Sequence, residues 1–426
     1  MYDLRIINGD CFIDGQFIRT NIYVSGEKIA SISDAIFPAV KTINVQNLKV
    51  LPGLIDPHVH LHLNIGQTYS ADDFLSGSQL AASGGVTTLI DFLDPIYKNN
   101  ELNEVFARRL KEADNCVVDF AFHCTLGNYE DDIHELVGDI KKLGITSIKI
   151  FTTYSDSNRR CSEADIKKLL NTDVLVLAHS EDDEMILPCD DIKDYERSRS
   201  EDTEWSAVNR LIELLKTSSG KLYIVHVSSG HTLEKIERLP GKLFLESCPQ
   251  YFHLNKSLFL NPEGRKYLLA PPIRSKESVA LMKEHIMKLD TIGTDHCPFM
   301  LEEKYASHHV DRIPKGIGSL GLAFPLMYEL FGPEIIVKFT ENPAEIFGLQ
   351  HKGKIEINKD ADFAILDDQR FTLPNSIFSK CDYSVYDQPI KSKVVMTILR
   401  GEVVMNKDQL YTKKGLYLRR HHESHH

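Results

Sequence analysis

The sequence predicts an α/β fold: a (β/α)8 TIM-like barrel with a small β-sandwich domain built from both chain ends. Three observations lead there. Short apolar strand-like runs recur between Leu51 and Asp295, helix-length amphipathic stretches separate them, and apolar/polar alternation with hairpin turns marks the two ends. The barrel runs are Leu51 to His60, Thr87 to Phe92, Val117 to Cys124, Ser147 to Thr152, Val174 to His179, Leu222 to Val227, Leu243 to Glu246 and Thr291 to Asp295. Asn103 to Ala113 and Ala207 to Leu215 are examples of the intervening amphipathic stretches. Strands alternating with helices imply a parallel sheet, and eight such units suggest that it closes. A doubly wound open sheet is the alternative. No glycine-rich nucleotide loop follows the first run, which argues against it.

At the N-terminal end, Leu4, Ile6 and Cys11 to Ile13 lead into Asp14-Gly15, a hairpin signal, and alternation continues through Phe17, Ile22, Val24, Ile29 and Ile32. The pattern returns at Ala361 to Leu366, at Val394 to Leu399 and after Gly401. Residues 1–50 and 349–413 are therefore expected to form one β domain, split by a barrel at 51–348. Residues 414–426 are expected to be a disordered tail, and the histidines of its closing HHESHH are excluded from site reasoning.

Bulk properties narrow the function. Of 426 residues, 42% are hydrophobic and 26% charged, as in a globular protein with a real core. A net charge of −12 argues against nucleic acid or an anionic membrane as partner. The eight cysteines show no close pairing, the N-terminus lacks a signal-peptide core, and no apolar run is long enough for a membrane span. The expectation is a cytoplasmic protein with reduced thiols.

Chemistry concentrates at the ends of the predicted strands. The first run ends in Asp56-Pro57-His58-Val59-His60, and residues i and i+2 of a strand share a face, so both imidazoles can reach one metal. His179, His226 and Asp295 end the fifth, sixth and eighth runs. Strand C-termini of a closed barrel converge on one mouth, and imidazoles plus a carboxylate suit zinc or a similar divalent ion. Unrelated core histidines would have to coincide in strand, end and residue type. Lys149 lies among apolar neighbours in Ser147 to Phe151, where an ammonium is costly. Either it snorkels or pairs with a carboxylate, or its neutral amine takes up CO2 as an anionic, metal-bridging carbamate.

The sequence resembles the dihydropyrimidinase/hydantoinase family of cyclic amidohydrolases over nearly its whole length. The segments that carry the likeness, in family order, are Pro52 to His60, Gly66 to Thr68 with Ala71 to Phe74, and Gly84 to Thr88 with Asp91-Phe92. They continue through Ser147 to Phe151 with Tyr154, Ile224 to Ser228, Glu246 to Tyr251, Gly293 to Phe299 and Asn342 to Leu349. The resemblance implies a homodimer or homotetramer that opens a small cyclic amide. It implies two divalent ions, most often zinc: one on His58, His60 and Asp295, the other on His179 and His226, with carbamylated Lys149 bridging. It makes Asp295 the proton carrier and Tyr154 the donor to the developing oxyanion. The sibling activities are dihydroorotase and allantoinase. A non-catalytic scaffold relative is the remaining alternative, and retention of all six ligand positions opposes it.

The chain departs from the family where substrate is read. Dihydroorotases carry an arginine shortly after the His-x-His, where this chain has His62, and a histidine cannot form a bidentate fork. An uncharged ring is therefore expected. Ala270 replaces a family serine before Pro271-Pro272, and Lys315 stands where hydantoinases usually have asparagine, either as a solvent-facing loop lysine or as a cation that attracts an acidic substituent. His62, Ala270 and Lys315 are the candidate substrate contacts.

Overall fold

A computed structural model describes residues 1–371, 377–411 and 413–421. The N-terminal strands are β1 Tyr2–Ile13, β2 Gln16–Ser25, β3 Lys28–Ser33, β4 Ala39–Asn44 and β5 Lys49–Pro52. The barrel strands are β6 Leu54–Val59, β7 Val86–Phe92, β8 Asp119–Thr125, β9 Ser147–Phe151, β10 Leu175–His179, β11 Lys221–Ile224, β12 Leu243–Ser247 and β13 Thr291–Ile292. The chain returns to the first sheet with β14 Phe363–Asp367, β15 Lys393–Leu399, β16 Glu402–Asn406 and β17 Gln409–Leu410.

Strands β6 to β13 pair in sequence order, all in parallel. A bridge between Val59 and His296 closes the ring at its mouth. Because helices cover the outside, both faces of most strands are buried, which is why they read as apolar runs. The period of two divides their side chains. Ile148, Ile150, Val176 and Ala178 pack outward under the helices, whereas Leu175, Leu177, Ile90, Ala121 and Tyr223 fill the interior. Ala344, Phe347 and Leu349 plug the interior at the foot.

The second sheet runs β17-β16-β15-β14-β5-β1-β2-β3, mostly antiparallel, and joins the two chain ends where β14 pairs with β5. Asp14 and Gly15 both take positive φ, 48° and 79°, which matches the twist a two-residue hairpin needs. Leu51 and Pro52 belong to this sheet rather than to the first barrel strand: Leu51 pairs with Ala364.

The expected disordered tail is corrected as far as His421. Leu416 and Leu418 exchange backbone hydrogen bonds with Phe120, and the Arg420 guanidinium, almost fully buried, donates to Ser147 Oγ at 2.9 Å. Leu416, Tyr417 and Leu418 thus close one flank of the barrel foot, an apolar triplet too short to read as an element. Residues 422–426 of the expected tail lie outside the described residues. Among the described residues no helix is long and apolar enough to cross a membrane.

Candidate metal centre at the barrel mouth

His58 sits near the end of β6 and His60 just beyond it. Asp295 follows β13, and its amide donates to the His58 carbonyl at 2.9 Å. That stitch draws three side chains together. The His58 and His60 Nε2 atoms are 3.2 Å apart, and each lies 3.1 Å from Asp295 Oδ1. Across the mouth, His179 Nδ1 lies 3.0 Å from His226 Nε2. The His58 and His226 rings are 5.5 Å apart, so the two groups adjoin. Lys149 faces inward between outward-facing Ile148 and Ile150, with its Nζ 5.1 Å from the Phe92 ring centre. His60, Lys149, Tyr154, His179, His226 and Asp295 all line one cavity of about 340 Å3, and His58 is buried beneath it.

Carboxylates behind the imidazoles set their orientation. Glu246 Oε1 lies 2.6 Å from His58 Nδ1 and accepts from the His226 amide at 3.1 Å; its Oε2 accepts from the Tyr223 hydroxyl at 2.7 Å. One carboxylate thereby turns His58 Nε2 toward the mouth. Glu181 does the same for His179, meeting Nε2 at 2.8 Å and leaving Nδ1 for the cavity side. Arg199 donates to both Glu181 oxygens, at 3.0 and 2.6 Å, and to the Tyr154 hydroxyl at 3.3 Å. Such partners of ligand imidazoles fix tautomer and ring orientation.

Protonation states follow from burial and neighbours. Burial opposes a charge on His58, but the Glu246 and Asp295 carboxylates outweigh it and raise its pKa to about 9. Burial lowers His60 to about 4 and holds His226 well below the usual imidazole range. Burial also works against Asp295 ionising, yet His58 and His60 hold it well below the usual carboxylate range. Burial brings the Lys149 amine down to about 8. Mostly neutral imidazoles beside an ionised carboxylate are what a divalent cation requires of its ligands. The buried His60 Nδ1 has no hydrogen-bond partner in the structure.

Backbone strain marks the same spot. Tyr154, His226 and Asp295 all occupy the left-handed region, at φ of 71°, 39° and 51°. Non-glycine residues there cost of order 1–3 kcal/mol each and cluster at functional sites.

The candidate substrate contacts divide. His62 is corrected: with φ of 52° it turns out of the strand path, stacks on Tyr69 at 4.4 Å between ring centres, and places Nδ1 3.7 Å from Glu112. It does not line the cavity. Ala270 and Lys315 do. Lys315 Nζ, however, donates to the carbonyls of Val310, Asp311 and Ile313 at 3.1, 3.1 and 3.2 Å, and so braces its own loop. A second lysine braces the wall from behind. Lys304, fully buried in the helix Leu301–Tyr305, donates to the carbonyls of Leu268, Pro314 and Gly316 at 2.8, 2.8 and 2.7 Å. Sequence reasoning missed Glu181 and Arg199. Glu181 had a signal, lying two residues beyond His179; Arg199 had none.

Fold and mouth together define a barrel hydrolase. The chain belongs to the amidohydrolase family, whose sequence profile matches residues 49–404, and that family is generally metal-dependent. It is 29% identical to a D-hydantoinase of Geobacillus stearothermophilus, over 96% of this chain and 94% of that one. It is 28% identical to a dihydroorotase of Methanothermobacter thermautotrophicus, over 100% and 99% of the two chains. The solved D-hydantoinase of a Bacillus sp. AR9 superposes with a TM-score of 0.92 at 26% identity, covering 98% of this chain and 99% of that one.

Proposed function

We propose that this chain hydrolyses the ring amide C–N bond of a cyclic ureide or amide, of the dihydropyrimidine or hydantoin type, to a ring-opened N-carbamoyl amino acid. The observation that carries the reading is the convergence of His58, His60 and Asp295 to within 3.2 Å beside the His179–His226 pair, in a cavity shared with Lys149 and Tyr154. His58, His60 and Asp295 would hold one divalent ion, His179 and His226 a second. The Lys149 amine, adding to CO2 with loss of a proton, would give a carbamate that serves both. Nitrogen and carboxylate donors at this density favour zinc. When bound, such ions supply Lewis acidity, acidifying a water and polarising the amide carbonyl.

The side chains do the rest. Asp295 accepts the proton of the attacking water and returns it to the departing ring nitrogen. Arg199 donates to the Tyr154 oxygen, which leaves the phenolic hydrogen to be given to the carbonyl oxygen as negative charge builds there. One such donor is typically worth about 3 kcal/mol. Eight unpaired cysteines support a cytoplasmic setting.

The test combines metal analysis of protein purified without added metal with ring-opening assays on dihydrouracil, hydantoin, allantoin and dihydroorotate. About two divalent ions per chain and turnover of at least one ring are expected. Lys149→Ala should lose both metal and turnover. Full activity without metal, or wild-type turnover in Lys149→Ala, overturns the reading of the centre. Metal-loaded protein that opens none of the rings overturns the reading of the reaction.

A further inference from the structure

His62 removes the guanidinium expected next to the His-x-His of a carboxylate-binding relative. The structure supplies one from another loop. Arg159 follows β9 in the turn that also carries Tyr154; it is half-buried and lines the same cavity as Tyr154, Lys149 and Asp295. Its amide donates to the Tyr154 carbonyl at 3.0 Å, and the preceding Asn158 is tied to Asn128 through backbone and side chain at 3.0 and 3.2 Å. The turn that sets Tyr154 therefore sets Arg159 as well.

The charges around it do not balance. Adjacent Arg160 meets Asp183 at 3.5 Å and Glu184 at 3.4 Å, while Asp156, exposed in the same turn, pairs with neither arginine. Among the described residues, Arg159 makes no ion pair and its guanidinium no hydrogen bond. Arg312, exposed at the rim of the same cavity, makes no ion pair either, and Asp311 beside it pairs with neither arginine. Lys315 adds a third cation to the wall, already spent on loop carbonyls. A chain of net charge −12 thus surrounds its cavity, outside the metal cluster, with three cations and one carboxylate. A half-buried guanidinium without a partner suits a ligand carboxylate, which it can hold by two parallel hydrogen bonds.

We propose that Arg159 selects cyclic amides that carry a carboxylate substituent, gripping that carboxylate while the ring amide faces Tyr154 and Asp295. The assignment rests on the ring-opening reading and names its substrate class. It replaces the uncharged ring expected from His62.

Two measurements on the metal-loaded full chain test it. The first is kcat/KM on hydantoin-5-acetate and dihydroorotate against hydantoin and dihydrouracil, for wild type, Arg159→Gln and Arg159→Lys. The charged-to-neutral ratio should exceed about 10 in wild type, fall at least about tenfold in Arg159→Gln, and be partly kept in Arg159→Lys, which retains charge but not the fork. The second is calorimetric binding of N-carbamoyl-aspartate against N-carbamoyl-β-alanine, which reads the same preference without turnover. Tighter binding of the dicarboxylate that is lost in Arg159→Gln supports the assignment, even if no ring is opened and the reaction itself must be reassigned. Equal binding of the two products overturns it. So does a charged-to-neutral ratio that Arg159→Gln leaves unchanged, even if the rings are opened and the reaction stands.

Discussion

At the foot of the barrel Asp119, Asp360 and Asp362 gather around Lys352, whose Nζ lies 2.6, 2.9 and 2.7 Å from them, and Arg400 closes on Asp119 as well. At the mouth His58, His60 and Asp295 gather just as tightly with no lysine or arginine at their centre. Among the described residues these are the two places where three such ligand atoms lie within 4.8 Å of one another. Counted by carboxylates, the foot is the better cation site. Yet it supplies its own cation, so its charge is settled when the chain folds. The mouth presents imidazole nitrogen atoms and one anion, a donor set that no side-chain ammonium or guanidinium fills. Identity of ligand-type residues is therefore a poor guide to a metal site until the nearest basic side chain is placed.

The sharpest way to break this contrast is at the foot. Lys352→Met leaves the buried Asp362 without its cation while Asp119 keeps Arg400 and Asp360 keeps Lys28, and removal of one partner of a buried ion pair typically costs about 3–5 kcal/mol. A large drop in the denaturation midpoint is expected, with kcat per folded molecule retained. Loss of turnover in protein shown to be folded would mean that the two ends are not independent. At the mouth the signs reverse. Asp295→Asn should lower kcat by about a hundredfold or more while the fold holds and metal is partly kept, because a positioned acid–base group is lost without leaving a charge unpaired. Near-normal turnover would move the proton transfer to another group.

The smallest effect sharpens the rim. Burial opposes ionisation of Asp72, but His296 at 3.0 Å, the Lys380 amide and the Ser379 hydroxyl outweigh it and lower its pKa from 3.8 to about 2. A depressed carboxylate stabilises above its unfolded pKa and loses that contribution as pH falls through its folded one. Ionisation of Asp72 should thus contribute about 2 kcal/mol near neutrality, draining away between pH 4 and pH 2. Denaturant melts of wild type and Asp72→Asn across that range should converge as the pH drops. A gap that stays constant would show that Asp72 acts through its hydrogen bonds alone.

The parts of this molecule that were legible in the sequence are those where burial writes a pattern. Barrel strands show as apolar runs because both faces are covered, and the positions of His58, His60, His179, His226 and Asp295 stand out because they interrupt or end such runs. The relay from Arg199 through Glu181 to His179 was hidden because the chain between residues 180 and 200 carries no period to read. Lys352 and its aspartates come from a loop and two strand starts that share nothing in sequence spacing. His62 looked like a substrate residue because it occupies the place of the dihydroorotase arginine, but the backbone leaves the strand path there at a positive φ. Arg159 was passed over because an arginine pair in a polar loop reads as solvated surface. Only the pairing of Arg160 with Asp183 and Glu184 shows which of the two is spoken for.

Lys304 has a consequence for how such pockets diverge. Its single ammonium ties the carbonyl of Leu268, just before Ala270, to those of Pro314 and Gly316 on either side of Lys315. The two wall segments come from distant stretches of chain, yet one buried group fixes the gap between them. A segment exchanged with a relative brings a working wall only if its lysine travels with it, whereas Arg159, on an unrelated turn, can be replaced alone. Substrate preference in this scaffold can thus change at the Tyr154 turn while the wall braced by Lys304 keeps its width.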